Sequence, residues 1–106
     1  SFIFSTGLPP ATIAAANEAL KLMTPELAAK ALANAKRFNS NAQTTIVPVI
    51  LGDEVAALEK SKQLEAAGFL VQAIRPPTVP AGTARLRVAF SALHTEAMID
   101  DLLKAL

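Results

Sequence analysis

No cysteine occurs in the chain. Disulfides, thiolate nucleophiles and cysteine-ligated zinc are therefore excluded. A single histidine, His94, leaves no imidazole cluster, and no metal site is expected. Tryptophan and tyrosine are missing too, so five phenylalanines are the whole aromatic complement. That is a poor supply of faces on which bases could stack. Ten basic and nine acidic residues are interspersed for a net charge of +1. With no basic stripe to follow a phosphate backbone, nucleic acid is not an expected partner. No apolar run approaches the roughly 20 residues that cross a bilayer. No charged stretch followed by an apolar core and a cleavage site opens the chain. The default expectation is a soluble cytoplasmic protein without a membrane partner.

What is present is enough for one small domain: 106 residues, 52% of them hydrophobic, many of those alanine. The first residue is Ser1, and Phe2-Ile3-Phe4 follows at once. Such a start suggests a fragment of a longer polypeptide. After Gly7-Leu8-Pro9-Pro10, a helix is expected over about Pro10 to Met23, with Ile13, Ala16, Leu20 and Met23 on one stripe. Thr24-Pro25-Glu26 starts a second helix, running to about Phe38 with Leu27, Ala31, Ala35 and Phe38 on its stripe. Thr44 to Leu51 is β-rich, and Pro48 within it argues for an edge strand or an irregularity. Asp53 suits the N-cap of a third helix, and Gly68 suits its left-handed C-terminal cap. Phe69 to Ile74 and Thr83 to Phe90 read as strands. Thr95 and Glu96 open a last helix whose stripe is Met98, Ile99, Leu102, Leu103 and Leu106. The order is α-α-β-α-β-β-α. From Thr44 onward it implies an α+β layer of three strands with helices on one face.

One stretch stands apart, Arg75 to Phe90, reading RPPTVPAGTARLRVAF. Its three prolines fix much of the backbone ahead of the last strand. In that strand Leu86, Val88 and Phe90 share one face, and Arg85, Arg87 and Ala89 share the other. Two arginines on the outer face of a half-buried strand ordinarily do no more than keep a surface solvated. Beside a stiff loop carrying the Thr78 hydroxyl, they also look like half of an anion-binding site. His94, at a helix start, reads as a capping or packing residue.

The run IRPPTVPAGTARLRVAFSALHTEAMIDDLLKAL, from Ile74 to Leu106, resembles the C-terminal end of the α-oxoamine synthases, pyridoxal-phosphate enzymes of the aspartate-aminotransferase fold. FIFSTGLPPATIAAANEAL and TIVPVILGDEVAALEKSKQLEAAGFLVQAI are similar to the same family in the same order, so the resemblance covers nearly the whole chain. It implies the small C-terminal domain of a fold-type I pyridoxal-phosphate enzyme. Residues 44–106 would form that domain, and residues 1–43 would link it to a large domain absent here. Within the family, RPPTVP followed by GTARLR is most similar to the member that condenses L-alanine with a pimeloyl thioester in biotin synthesis, on coenzyme A or a carrier protein.

On this resemblance, Arg87 matches the arginine that grips the amino-acid carboxylate. Thr78 matches a threonine near the acyl thioester. Ser5 and Thr6 fall in the stretch that reaches across a homodimer interface toward the cofactor phosphate. The cofactor-bearing lysine, the histidine that stacks on the ring and the aspartate that pairs with its nitrogen have no counterpart here. Lys60 and Lys62 lack the expected context. No catalytic residue is therefore expected in this chain, and alone it would be inactive. The chain departs from the family at Phe38-Asn39-Ser40-Asn41-Ala42-Gln43, where relatives carry a longer connection. Two rival readings remain: a free-standing α+β interaction module, and the same domain of another α-oxoamine synthase or aminotransferase.

Overall fold

The structure is a computed structural model, and it describes residues 7–106. Four helices are set by local chemistry: α1 (Pro10–Leu22), α2 (Pro25–Phe38), α3 (Glu54–Ala66) and α4 (Glu96–Ala105). Each of the last three has the N-cap expected of it. Thr24 Oγ1 accepts from the Leu27 N–H at 3.3 Å, an Asp53 carboxylate oxygen from the Ala56 N–H at 2.8 Å, and Thr95 Oγ1 from the Met98 N–H at 3.3 Å. Such caps satisfy N–H groups that have no partner inside the helix. At the end of α3, Gly68 takes φ +93°. Its N–H donates to the Glu65 carbonyl at 2.9 Å, and the Phe69 N–H donates to the Leu64 carbonyl at 2.8 Å. This pair of bonds is the Schellman closure, and its positive φ favours glycine.

Three strands, β1 (Ile46–Gly52), β2 (Gln72–Ile74) and β3 (Ala84–Ala89), form an antiparallel sheet in the order β1-β3-β2. The Phe90 N–H donates to the Thr45 carbonyl at 2.8 Å. Antiparallel pairing alternates from there, so Val47/Val88 and Val49/Leu86 exchange ladder bonds while Pro48/Arg87 does not. Pro48 thus sits on an edge strand at a position where its missing N–H costs no ladder bond. The register slips between Ile50 and Gly52, where Gly52 has φ +86° and a Cβ would lie 3.4 Å from the Gly82 carbonyl oxygen. This is a β-bulge closing the β1 end of the sheet.

One sheet face is the core. Val47, Leu86, Val88 and Phe90 pack with Leu64 of α3 and with Ile99 and Leu102 of α4. Ala35 brings the second half of α2 into the same cluster. The Asn34 amide fixes this half further, donating to the carbonyls of Ser91 at 2.8 Å and His94 at 2.9 Å. Across the surface, Arg37 forks onto the Asp100 carboxylate with two bonds of 2.9 Å and reaches Glu96 at 3.3 Å.

Three expectations are modified. The strand expected from Phe69 contracts to Gln72–Ile74. The Phe69 N–H is committed to the α3 closure and the Val71 carbonyl accepts from the Ser61 hydroxyl, so this backbone is not free to pair. The α1 stripe stays uncovered: Ile13, Leu20 and Met23 are 47, 63 and 65% exposed, and α1 buries no residue. Accordingly the Cα radius of gyration is 17.6 Å, against about 13 Å for a compact chain of this length. In α4 the stripe narrows to Ile99 and Leu102, with Leu106 at its end partly buried against the core and Met98 and Leu103 largely exposed. The short connection after α2 is well closed. The Asn39 side chain accepts from the Asn41 N–H at 3.0 Å, the Asn39 carbonyl from the Ala42 N–H at 2.8 Å, and Ala42 is buried.

Candidate functional site

The sheet face opposite the helices is open. Cross-strand neighbours share a face, so the register defines its rows. One row is Pro48–Arg87–Gln72, and the next is Ile50–Arg85–Ile74. Alternation along β3 puts both arginines here, yet their surroundings differ. The Arg85 Nε donates to the Thr83 carbonyl at 3.0 Å, and the side chain is half-buried. Arg87 is exposed. The ion pairs among the described residues join Lys21 with Glu18, Arg37 with Glu96 and Asp100, and Lys104 with Asp101, so Arg87 takes part in none of them.

Arg87 lines a depression of about 560 Å³ where β2 starts, together with Gln72, Ala73 and Ala89 of the sheet and Leu58 and Ser61 of α3. The Ser61 hydroxyl is already given to the Val71 carbonyl. The guanidinium and the Gln72 amide are therefore the polar side-chain groups left to meet a ligand. A guanidinium in mostly apolar surroundings suits a small carboxylate, which it can bind through two parallel N–H···O bonds.

Thr78 lies elsewhere. It sits on the exposed loop between β2 and β3, where its N–H donates to the Arg75 carbonyl at 3.1 Å and the Pro76–Pro77 peptide is cis. The Ile74–Arg85 row intervenes between this loop and Arg87, a spacing of about 7 Å along the strand before the loop begins. Thr78 does not line the depression that holds Arg87. Ser5 and Thr6 lie outside the described residues. Lys60 is on α3, and its Nζ donates to the Ala105 carbonyl at 3.2 Å. Lys62 is exposed on the same helix. Neither is on the open face of the sheet. His94 Nδ1 accepts from the Ser91 N–H at 3.1 Å, and its ring meets Phe90 edge-on at 6.2 Å, so it caps and packs.

Three residues had no role in the sequence reading. Gln72 needed the β2/β3 register to be placed beside Arg87. Asn34 adjoins the α2 stripe, and a polar residue next to an apolar seam is a weak signal of a buried hydrogen bond. Arg37 pairs with an acid 63 residues away, and nothing local marks that. The pairing holds Asp100 below the usual carboxylate range, chiefly through the Arg37 hydrogen bond, and raises the Arg37 guanidinium above its ordinary value.

The family model for aminotransferase class I and II matches residues 1–106. An 8-amino-7-oxononanoate synthase from Methylobacterium nodulans is 58% identical over 100% of this chain and 30% of its own length. The chain thus spans about 30% of the length of the curated relatives it matches. Among solved structures, a serine palmitoyltransferase from Sphingomonas wittichii superposes with a TM-score of 0.86 at 30% identity, covering 98% of this chain and 30% of the other. An 8-amino-7-oxononanoate synthase from Francisella tularensis has the same fold, with a TM-score of 0.79 at 23% identity over 97% of this chain and 33% of the other. These neighbours match the small α+β unit of four helices and a three-stranded sheet.

Proposed function

This chain belongs to the aminotransferase class I and II family, and from that premise we propose that it is the small-domain part of an α-oxoamine synthase, 8-amino-7-oxononanoate synthase. The parent enzyme condenses L-alanine with a pimeloyl thioester, on coenzyme A or a carrier protein, and releases carbon dioxide and the thiol. Residues 44–106 are the small domain, and residues 1–43 link it to a large domain. The observation that carries the reading is Arg87, exposed on the open sheet face and outside every ion pair among the described residues. A relative of the same reaction, 58% identical along this chain, supports it.

Pyridoxal phosphate, when bound, supplies the electron sink at the α-carbon of the amino acid. The described residues do not fit a cradle for it. Lys60 is held by the Ala105 carbonyl and Lys62 faces solvent on α3, both away from the open face. On the family likeness the large domain would hold the cofactor, and Ser5 and Thr6, which lie outside the described residues, would meet its phosphate from across a homodimer interface. Arg87 binds the alanine carboxylate and fixes the α-carbon for reaction; this is orientation, with no proton moved. Thr78 lies on the acyl-thioester side.

One observation favours a second reading. The serine palmitoyltransferase from Sphingomonas wittichii superposes with the higher TM-score, 0.86 against 0.79. On that reading the amino acid is serine. Steady-state kinetics of the full-length protein with alanine and with serine decide between them. Arg87→Ala tests the anchor. Losing a charge-assisted bidentate pair raises the KM for the amino acid by roughly 30-fold or more, with the cofactor's visible absorbance retained. An unchanged KM removes Arg87 from the site.

A further inference from the structure

We propose that Gln72 is a second carboxylate-binding residue, its side-chain amide donating to the carboxylate that Arg87 holds. The proposal deepens the reading of Arg87 as the anchor and rests on it. A carboxylate offers about four lone-pair directions, and a bidentate guanidinium fills two. The remainder must find donors once the site is closed to water, because an unmet charged acceptor is costly in apolar surroundings.

The register restricts where those donors come from. Within the Arg87 row, Pro48 on one side carries no polar side-chain atom, and Gln72 on the other carries an amide. The alternation that frees Pro48 from the ladder makes Gln72/Arg87 a hydrogen-bonded pair, with Cα atoms about 5.5 Å apart and both side chains on one face. Both residues are exposed and line the same depression. Of the other polar side chains close by, the Ser61 hydroxyl is given to the Val71 carbonyl, while Arg85, whose Nε donates to the Thr83 carbonyl, does not line the depression. The Gln72 amide is in no hydrogen bond among the described residues. The arrangement is lopsided, with a donor on the β2 side and a smooth proline on the β1 side. A bound carboxylate is therefore drawn toward β2, which fixes the direction in which the α-carbon leaves it. The site selects a free amino-acid carboxylate over its neutral amide.

The test uses the full-length protein with cofactor bound, titrating L-alanine and L-alaninamide and following the cofactor's visible spectrum, then measuring steady-state KM and kcat. Gln72→Met keeps the length of the side chain and removes its amide. It should weaken L-alanine roughly 10-fold, the loss of one hydrogen bond to a charged group, weaken L-alaninamide, whose carbonyl is a neutral acceptor, clearly less, and move KM more than kcat. Gln72→Glu sets a carboxylate against Arg87 and should weaken L-alanine further. A merely structural role would move both ligands together, and thermal unfolding checks that the exposed substitution leaves the fold intact. Arg87→Ala is run in parallel. If it weakens L-alanine while Gln72→Met leaves both ligands unchanged, the Gln72 proposal is overturned and the anchor stands. If Arg87→Ala itself changes nothing, both fall.

Discussion

Replacing Asn34 with alanine removes two partly buried bonds that join helix α2 to the turn after β3. The amide donates to the Ser91 and His94 carbonyls at 2.8 and 2.9 Å, and the residue is 8% exposed. Each bond contributes a net of about 1 kcal/mol. The Ser91 carbonyl keeps a second donor, the His94 N–H at 3.3 Å, so its loss is cushioned. The His94 carbonyl has no other donor among the described residues, and leaving it bare adds up to about 1 kcal/mol, since water reaches a half-buried turn. The expected cost is about 2–3 kcal/mol. That is a large share of the roughly 5–15 kcal/mol typical of a domain this size. Urea unfolding followed by far-UV circular dichroism should show the midpoint falling at constant slope. Asn34→Asp discriminates further. Its carboxylate would face two carbonyl oxygens, so the folded state raises its pKa. Its stability deficit should be smallest below about pH 4, where a protonated acid can still donate one bond, and should grow as pH rises through the raised value. A cost under about 0.5 kcal/mol for Asn34→Ala, or a flat pH profile for Asn34→Asp, would refute the reasoning.

Leu86 is 0% exposed at the centre of β3, so Leu86→Ala should cost about 2–5 kcal/mol in the same assay; a cost below 1 would mean the sheet collapses onto the gap. Asp100 is held below its ordinary value by Arg37. A depressed carboxylate stabilises the fold above its unfolded pKa and loses that contribution as pH falls through the folded one. Asp100→Asn should therefore lower stability at neutral pH, lose its effect in acid below the wild-type group's depressed pKa, and shrink in concentrated salt because the pair is exposed. An equal effect at all pH values would remove the ion pair as the cause.

Local signals were legible in the sequence because their physics is local. Thr24, Asp53 and Thr95 were readable as caps, Gly68 as a left-handed stop, and Leu86, Val88 and Phe90 as a buried face. Each depends on a few neighbouring residues. The strand at Phe69 was overestimated because its first residues are spent closing α3, a competition invisible to alternation. The stripe of α1 carries the right spacing, but spacing does not say what covers it. Alternation also could not separate Arg85 from Arg87. The distinction comes from a backbone carbonyl two residues upstream of Arg85 and from a register that sets Gln72 beside Arg87. Composition and spacing went no further than an anion site; assigning an amino-acid carboxylate to it rests on family likeness.

Pro48 has a consequence beyond its own strand. The outer rim of the sheet presents, at that position, an imide nitrogen with nothing to donate. A strand from a neighbouring molecule that tried to extend the sheet there would find a gap in its pairing partners. One residue thus disfavours rim-to-rim stacking at the β1 edge and at the same time sets a smooth ring beside the guanidinium on the open face.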